Sequence, residues 1–146
     1  MEGGNATQLC GLPGQENAFL QDAVYRGVVS IVDDDESVRN ATNKLLRING
    51  YETHSFSSAE DFLGSAIVQD TNCLVTDVRM PGMGGLALQE RLLVRGFNVP
   101  IVFITAYPEH DSRKRAMEAG AVCFLNKPFD GLALIRCIEQ ALHGPE

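Results

Sequence analysis

The chain has 146 residues, with 12 Lys and Arg against 19 Asp and Glu, a net charge of −7 with histidine counted neutral. Hydrophobic residues make up 45% and charged residues 21%, which excludes disorder throughout, and the length suits one domain that buries a core without disulfide or metal staples. The acidic balance speaks against a protein that mainly grips nucleic acid or an anionic membrane, and no apolar run approaches the roughly 20 residues needed to span a bilayer.

Residues 1–25 are poor in large apolar groups and carry Gly3, Gly4, Gly11, Pro13 and Gly14. Such a segment buries too little to offset its ordering entropy, so a flexible extension is expected, with Ala18, Phe19 and Leu20 as the one candidate for a short docking helix. From Gly27 the pattern changes. Val28 to Val32 is a short apolar run that ends in acid, and Val38, Ala41, Leu45 and Ile48 then recur at three- and four-residue steps, a helical stripe stopped by Asn49-Gly50. Tyr51 to Phe56 has the mixed polarity of an edge strand, and Ser57-Ser58-Ala59-Glu60 reads as a capping box opening a second helix. Cys73 to Thr76 is the next buried run, followed by a glycine-rich stretch from Met80 to Gly85 and a third helix over Leu86 to Arg95. Ile101 to Ile104 forms a fourth strand, a fourth helix ends at Gly120, and Ala121 to Leu125 forms a fifth strand. Leu132, Ile135, Ile138 and Leu142 mark a closing helix.

Strands that start near 28, 51, 73, 101 and 121 are each separated by room for one helix. Continuous apolar strands alternating with helices predict an α/β fold, a doubly wound five-stranded parallel sheet covered on both faces. The predicted domain runs from 26 to 143, with 144–146 as a short tail. Cys10, Cys73, Cys123 and Cys137 are widely spaced with no CxxC pair and are expected as buried free thiols in a reduced cytoplasm. The histidines form no ligand pattern. Leu9-Cys10-Gly11 lacks the cationic and apolar regions of an export signal, so none is expected.

In an open parallel sheet the functional site lies beyond the carboxyl ends of the strands, where strand order reverses. There the first strand ends in Asp33-Asp34-Asp35-Glu36, the third in Asp77, the fourth in Thr105-Ala106, and the fifth in Asn126-Lys127-Pro128-Phe129. Crowded carboxylates repel unless a cation relieves them, and hard oxygen ligands favour Mg²⁺. An acid cluster, a divalent cation, the Lys127 ammonium and the Thr105 hydroxyl suit phosphoryl transfer, with one carboxylate attacking in line. Taken singly, each motif has a plainer explanation: acids at a helix start, a strand-end aspartate, a loop lysine before proline. Four strand ends with compatible groups argue for a site.

Val32-Asp33-Asp34-Asp35-Glu36, the run from Thr76-Asp77 to Gly84-Gly85, Phe103-Ile104-Thr105-Ala106 and Lys127-Pro128-Phe129 together resemble a response-regulator receiver domain of two-component signalling, of the FixJ group, over about Gly27 to His143. The resemblance implies strand order 2-1-3-4-5, the flavodoxin-like order, with Asp77 as phosphoacceptor. It further implies Mg²⁺ held by Asp34, by Asp33 through water, by Asp77 and by the backbone carbonyl of Arg79. Lys127 would pair with Asp77 and then with its phosphoryl group, Thr105 would hydrogen-bond that group, and Phe124 would be the aromatic switch that follows the threonine. The family's Lys-Pro bond is usually cis, which makes Lys127-Pro128 a candidate. Gly84 departs from the Asp common there, while Arg79 and Tyr107 occupy variable positions flanking the site.

The function so implied is a phosphoacceptor switch rather than a conventional enzyme, one that catalyses at most its own phosphorylation and dephosphorylation. Its expected partners are a sensor histidine kinase or phosphotransfer protein and a second copy paired through the fourth helix and fifth strand. Direct nucleic-acid or membrane contact is not expected. Whether the chain is a single-domain regulator or a receiver from a longer transcriptional regulator stays open. A metal-dependent phosphohydrolase on a similar sheet is disfavoured because Arg79 stands where a second acid is commonly needed, and a pseudo-receiver because Asp33, Asp34, Asp77, Thr105 and Lys127 are all present.

Overall fold

The computed structural model describes residues 26–143; the readings made for residues 1–25, Cys10 included, and for 144–146 lie outside them. β1 (Gly27–Val32), β2 (Tyr51–Phe56), β3 (Cys73–Asp77), β4 (Ile101–Thr105) and β5 (Cys123–Asn126) form one sheet in the order β2-β1-β3-β4-β5, with every pairing parallel. The helices are α1 (Glu36–Ile48), α2 (Ala59–Leu63), α3 (Gly85–Val94), α4 (His110–Glu118) and α5 (Gly131–His143), with a 3₁₀ turn over Ala66–Asp70. Every residue of β1, β3 and β4 is buried, whereas β2 and β5 at the edges are mixed. That is the burial expected of a sheet covered on both faces.

The sheet divides the core in two. On one side Val32, Phe62, Leu74, Leu88, Leu92 and Phe103 join α2, α3 and α4 to the strands. On the other, Ile31, Leu46, Val75, Ile104, Leu134 and Ile138 join α1 and α5. Strand residues that alternate along the chain feed opposite cores, as the two-residue period requires.

Several local readings shift. In α1 Val38 and Leu45 of the expected stripe pack half-buried against the core, but the fully buried positions are Thr42 and Leu46, while Ala41 is exposed and Ile48 is 77% exposed; the buried line lies one step round from the expected one. In α5 Leu132 is exposed and Leu134, Ile135, Cys137 and Ile138 are buried. The cap of α2 is Ser58, whose hydroxyl accepts from the Asp61 amide at 3.0 Å, rather than Ser57. Two cysteines also depart from the free-thiol expectation: Cys123 of β5 and Cys137 of α5 are joined as a disulfide, their Cα atoms 6.0 Å apart. The cause is packing, since α5 lies on the β5 face that Cys123 presents. Cys73 is a buried free thiol as expected.

Candidate functional site

β1 and β3 are neighbours and run in the same direction, so the residues that follow their last core positions emerge at one edge. The sequence Asp33-Asp34-Asp35-Glu36 is divided among distinct tasks there. Asp33 is fully buried; its Oδ1 accepts from the Asp35 amide at 2.9 Å. Asp34 is exposed. Asp35 caps α1, its Oδ1 accepting from the Ser37 amide at 2.9 Å and the Val38 amide at 3.3 Å. Glu36 lies in the first turn, where a negative charge complements the helix dipole. Two of the four acids therefore serve the helix start and two face the site.

Asp77 ends β3 and is 7% exposed. Its Oδ1 accepts from the Arg79 amide at 3.3 Å. The Lys127 ammonium lies between the two buried acids, donating to Asp33 Oδ2 and to Asp77 Oδ2, both at 2.9 Å. Lys127 is positioned by its own backbone, whose amide donates to the Thr105 carbonyl at 2.7 Å, and the peptide bond that follows, Lys127-Pro128, is cis. Oxygens of Asp33, Asp34 and Asp77 lie within 4.8 Å of one another. Three carboxylates and one ammonium leave an excess of negative charge, and the all-oxygen donor set, with one member open to solvent, fits a hard divalent cation such as Mg²⁺.

The electrostatics follow from burial and pairing. Burial pushes the Asp33 carboxyl above its ordinary range, and the nearby Asp77 charge adds to that, against the opposing hydrogen bonds from Asp35 and Lys127. For Lys127, burial acts downward, but hydrogen bonds to Asp77 and Asp33 and their charges outweigh it and hold the ammonium above its usual value. The two buried carboxylates thus favour the charged form of Lys127.

Thr105, the last residue of β4, is fully buried. Its Oγ1 accepts from the Tyr107 amide at 3.1 Å, which leaves its own proton available to donate. Phe124 of β5 is buried with its ring centroid 6.0 Å from that of Phe103, so in this state it is a core side chain. The Arg79 guanidinium turns away from the acids; it pairs with Glu109 and lies 5.7 Å from the centroid of the exposed Tyr107 ring. Arg79 is therefore at the site through its backbone, and its side chain bridges the β3–α3 and β4–α4 loops.

Two residues named from the sequence have supporting roles at the site that it did not reveal. Glu60 of α2 accepts from the Met83 amide at 3.0 Å and pins the loop that follows Asp77. Gly85 opens α3 so close to the strand that an added Cβ would lie 2.2 Å from the Asp77 carbonyl oxygen. Glu60 had been given a capping task, and a contact across 23 residues leaves no local signature in the sequence.

Comparisons with known proteins converge. The family model for the response regulator receiver domain matches residues 29–139. Nodulation protein W of Bradyrhizobium diazoefficiens is 39% identical over 120 residues, which are 82% of this chain and 53% of that protein. Transcriptional regulatory protein FixJ of Rhizobium meliloti is 41% identical over 113 residues, 77% of this chain and 55% of that one. The chain spans about half the length of the curated relatives it matches. Among solved structures, the crystal structure of FixJ-N superposes with a TM-score of 0.73 at 38% identity, covering 83% of this chain and 97% of that chain. The response regulator StyR gives 0.74 at 45% identity, covering 81% and 60%.

Proposed function

The chain belongs to the response regulator receiver domain family, and from that membership we propose that Asp77 is the residue that takes the phosphoryl group, with Mg²⁺ as the required cation. As a receiver the chain is a phosphoacceptor switch of two-component signalling. One observation carries the assignment to Asp77: Lys127 holds the buried Asp33 and Asp77 at 2.9 Å each, with Asp34 beside them, where the strand order reverses.

An Asp77 carboxylate oxygen attacks the phosphorus of a phosphohistidine on a sensor kinase or phosphotransfer protein. The new O–P bond forms as the N–P bond breaks, and the departing imidazole takes up a proton. Asp33, Asp34, the Asp77 carboxylate and the Arg79 carbonyl would hold Mg²⁺, which when bound supplies charge neutralisation for the phosphoryl oxygens. Lys127 keeps its ion pair as charge moves from carboxylate to phosphoryl. Thr105 donates its hydroxyl proton to a phosphoryl oxygen, and Phe124, packed between Thr105 and Lys127 in sequence and against Phe103 in space, repacks with it. Contacts made only in the phosphorylated state shift a two-state equilibrium.

The same reading includes slow self-phosphorylation from small phosphodonors and self-dephosphorylation. It also includes pairing of two copies through α4 and β5, and action in the cytoplasm; among the described residues no helix is long and apolar enough to cross a membrane.

The test is incubation with acetyl phosphate and Mg²⁺ followed by mass spectrometry. One phosphoryl group adds to the wild type and none to Asp77→Asn, and labelling that survives Asp77→Asn refutes the assignment.

A further inference from the structure

At the end of the sheet opposite Asp77, a groove of about 560 Å³ opens between the C-terminal ends of α3, α4 and α5. Leu93, Phe97, Val99, Met117, Val122 and Ala141 are among the residues that line it, and no charged side chain does. Leu93 is 48% exposed and Met117 38% exposed. In a chain that is 21% charged, a neutral groove that joins half-exposed leucine and methionine to the amides of Gln89, Asn98 and Gln140 is suited to an uncharged amphipathic segment.

The chain enters the described fold at the rim of this groove. Arg26 Nη1 lies 2.9 Å from Glu139 Oε2 on the last turns of α5, and the next residues along that helix, Gln140 and Ala141, line the groove. Leu142 approaches to 3.8 Å of the position a Cβ would take at Gly27. Arg26, where the described residues begin, therefore lies within one helical turn of the groove. The largest apolar cluster of the 25 residues that precede Arg26 is close to it in the sequence. Phe19, Leu20, Ala23 and Val24 recur at four-residue steps, the spacing that gathers side chains on one helical face. The six-residue step from Leu20 to Arg26 spans about 20 Å when extended and about 9 Å when helical. Either reaches the groove.

We propose that the groove between α3, α4 and α5 is the docking site of the chain's own N-terminal segment, with Phe19 and Leu20 as its anchors. Arg26 is itself held in place, its amide donating to the Gly50 carbonyl at 3.0 Å, its guanidinium 6.0 Å from the Tyr51 ring centroid and paired with Glu139 near the end of α5. The docked segment covers Leu93 and Met117 and ties α3, α4 and α5 together at the end remote from the phosphoacceptor. This interaction is independent of phosphorylation chemistry: Asp77 takes no part in it.

The chain contains no tryptophan, so Phe19→Trp in the full chain is a single reporter. The expected emission is blue-shifted and shielded from acrylamide relative to the same chain in denaturant, and unchanged on dilution. Leu93→Glu or Met117→Glu, both at exposed positions that leave the fold intact by circular dichroism, abolishes the shift. Hydrogen exchange on the chain with its natural Phe19 guards against a misfit indole: amides of residues 18–24 are protected, and Met117→Glu removes the protection. A solvent-exposed indole with unprotected amides overturns the proposal. So does shielding that survives both glutamate substitutions, or shielding that appears only as concentration rises, which makes a second copy the occupant.

Discussion

Cys73 opens β3 with its thiol sealed in the core shared by α1 and α5, and burial alone pushes its pKa from 9.0 up to about 12. In the unfolded chain the thiol ionises near pH 9, while in the fold it stays protonated. Below pH 9 both states are neutral and full stability is present; above it, the unfolded state gains free energy that the folded state does not. The wild type is therefore expected to lose about 1.4 kcal/mol of stability per pH unit from this residue between pH 9 and 12. Denaturant melts of wild type and Cys73→Ala across that window check this: the cavity cost of the alanine is constant with pH, and the gap between the two curves narrows as pH rises. A constant gap refutes the burial argument. The acid cluster gives a second expectation at this scale. Asp34 adds an exposed negative charge within 4.8 Å of two others, so Asp34→Asn relieves repulsion and raises the metal-free melting temperature by about 1–2 °C. Added Mg²⁺ then raises it less than in the wild type, because a ligand that binds only the folded state stabilises in proportion to its affinity. Equal Mg²⁺ shifts in both proteins remove Asp34 from the ligand set. The sequence displayed these residues but not their division of labour. Asp33-Asp34-Asp35-Glu36 reads as one acidic run, and only the turn into α1 decides that Asp35 caps the helix, Glu36 sits in its first turn and the other two face the site.

In α1 the apolar and small residues form two overlapping stripes, Val38–Ala41–Leu45–Ile48 and Thr42–Leu46 with their neighbours. A helical period cannot choose between lines one residue apart. The choice is made by where β1 and β2 lie, which is a tertiary fact, and it buries Leu46 completely while leaving Ile48 77% exposed. Leu46→Ala is expected to cost about 2–5 kcal/mol, and Ile48→Ala to stay within about 0.5 kcal/mol of wild type. Paired urea titrations separate the two; comparable losses would place the helix one step round from the arrangement described above. The same reasoning explains the other shifted elements. Ser57 and Ser58 are both competent caps; Ser58 caps α2 while Glu60, the acid of the expected capping box, accepts from the distant Met83 amide instead. Cys123 and Cys137 meet because α5 crosses β5, and no spacing rule connects a strand residue to a helix residue 14 positions on.

At the scale of the molecule, the topology was legible because alternation of continuous apolar strands with helices leaves few parallel arrangements, and the strand ends named the site edge before any contact was known. The resemblance pointed to Lys127 as the partner of Asp77, but not to its backbone anchor: its side chain grips Asp33 after β1 and Asp77 on β3, while its amide is bonded to the Thr105 carbonyl of β4. Lys127 follows Phe124 and the exposed edge of the sheet by three residues. On the proposed function, a charge added at Asp77 would pull on the end of β5, the strand proposed to pair two copies, through a side chain whose backbone is fixed to β4. If pairing depends on that pull, beryllofluoride with Mg²⁺ doubles the sedimenting mass of the wild type. The same treatment leaves Lys127→Ala monomeric, even though that variant still takes up label from acetyl phosphate. Labelling and mass must be measured on one sample, since the mechanism requires them to separate in the variant. A Lys127→Ala protein that both labels and dimerises normally shows that the signal crosses the sheet by another route, and a wild type whose mass never changes shows that α4 and β5 do not form the pairing surface.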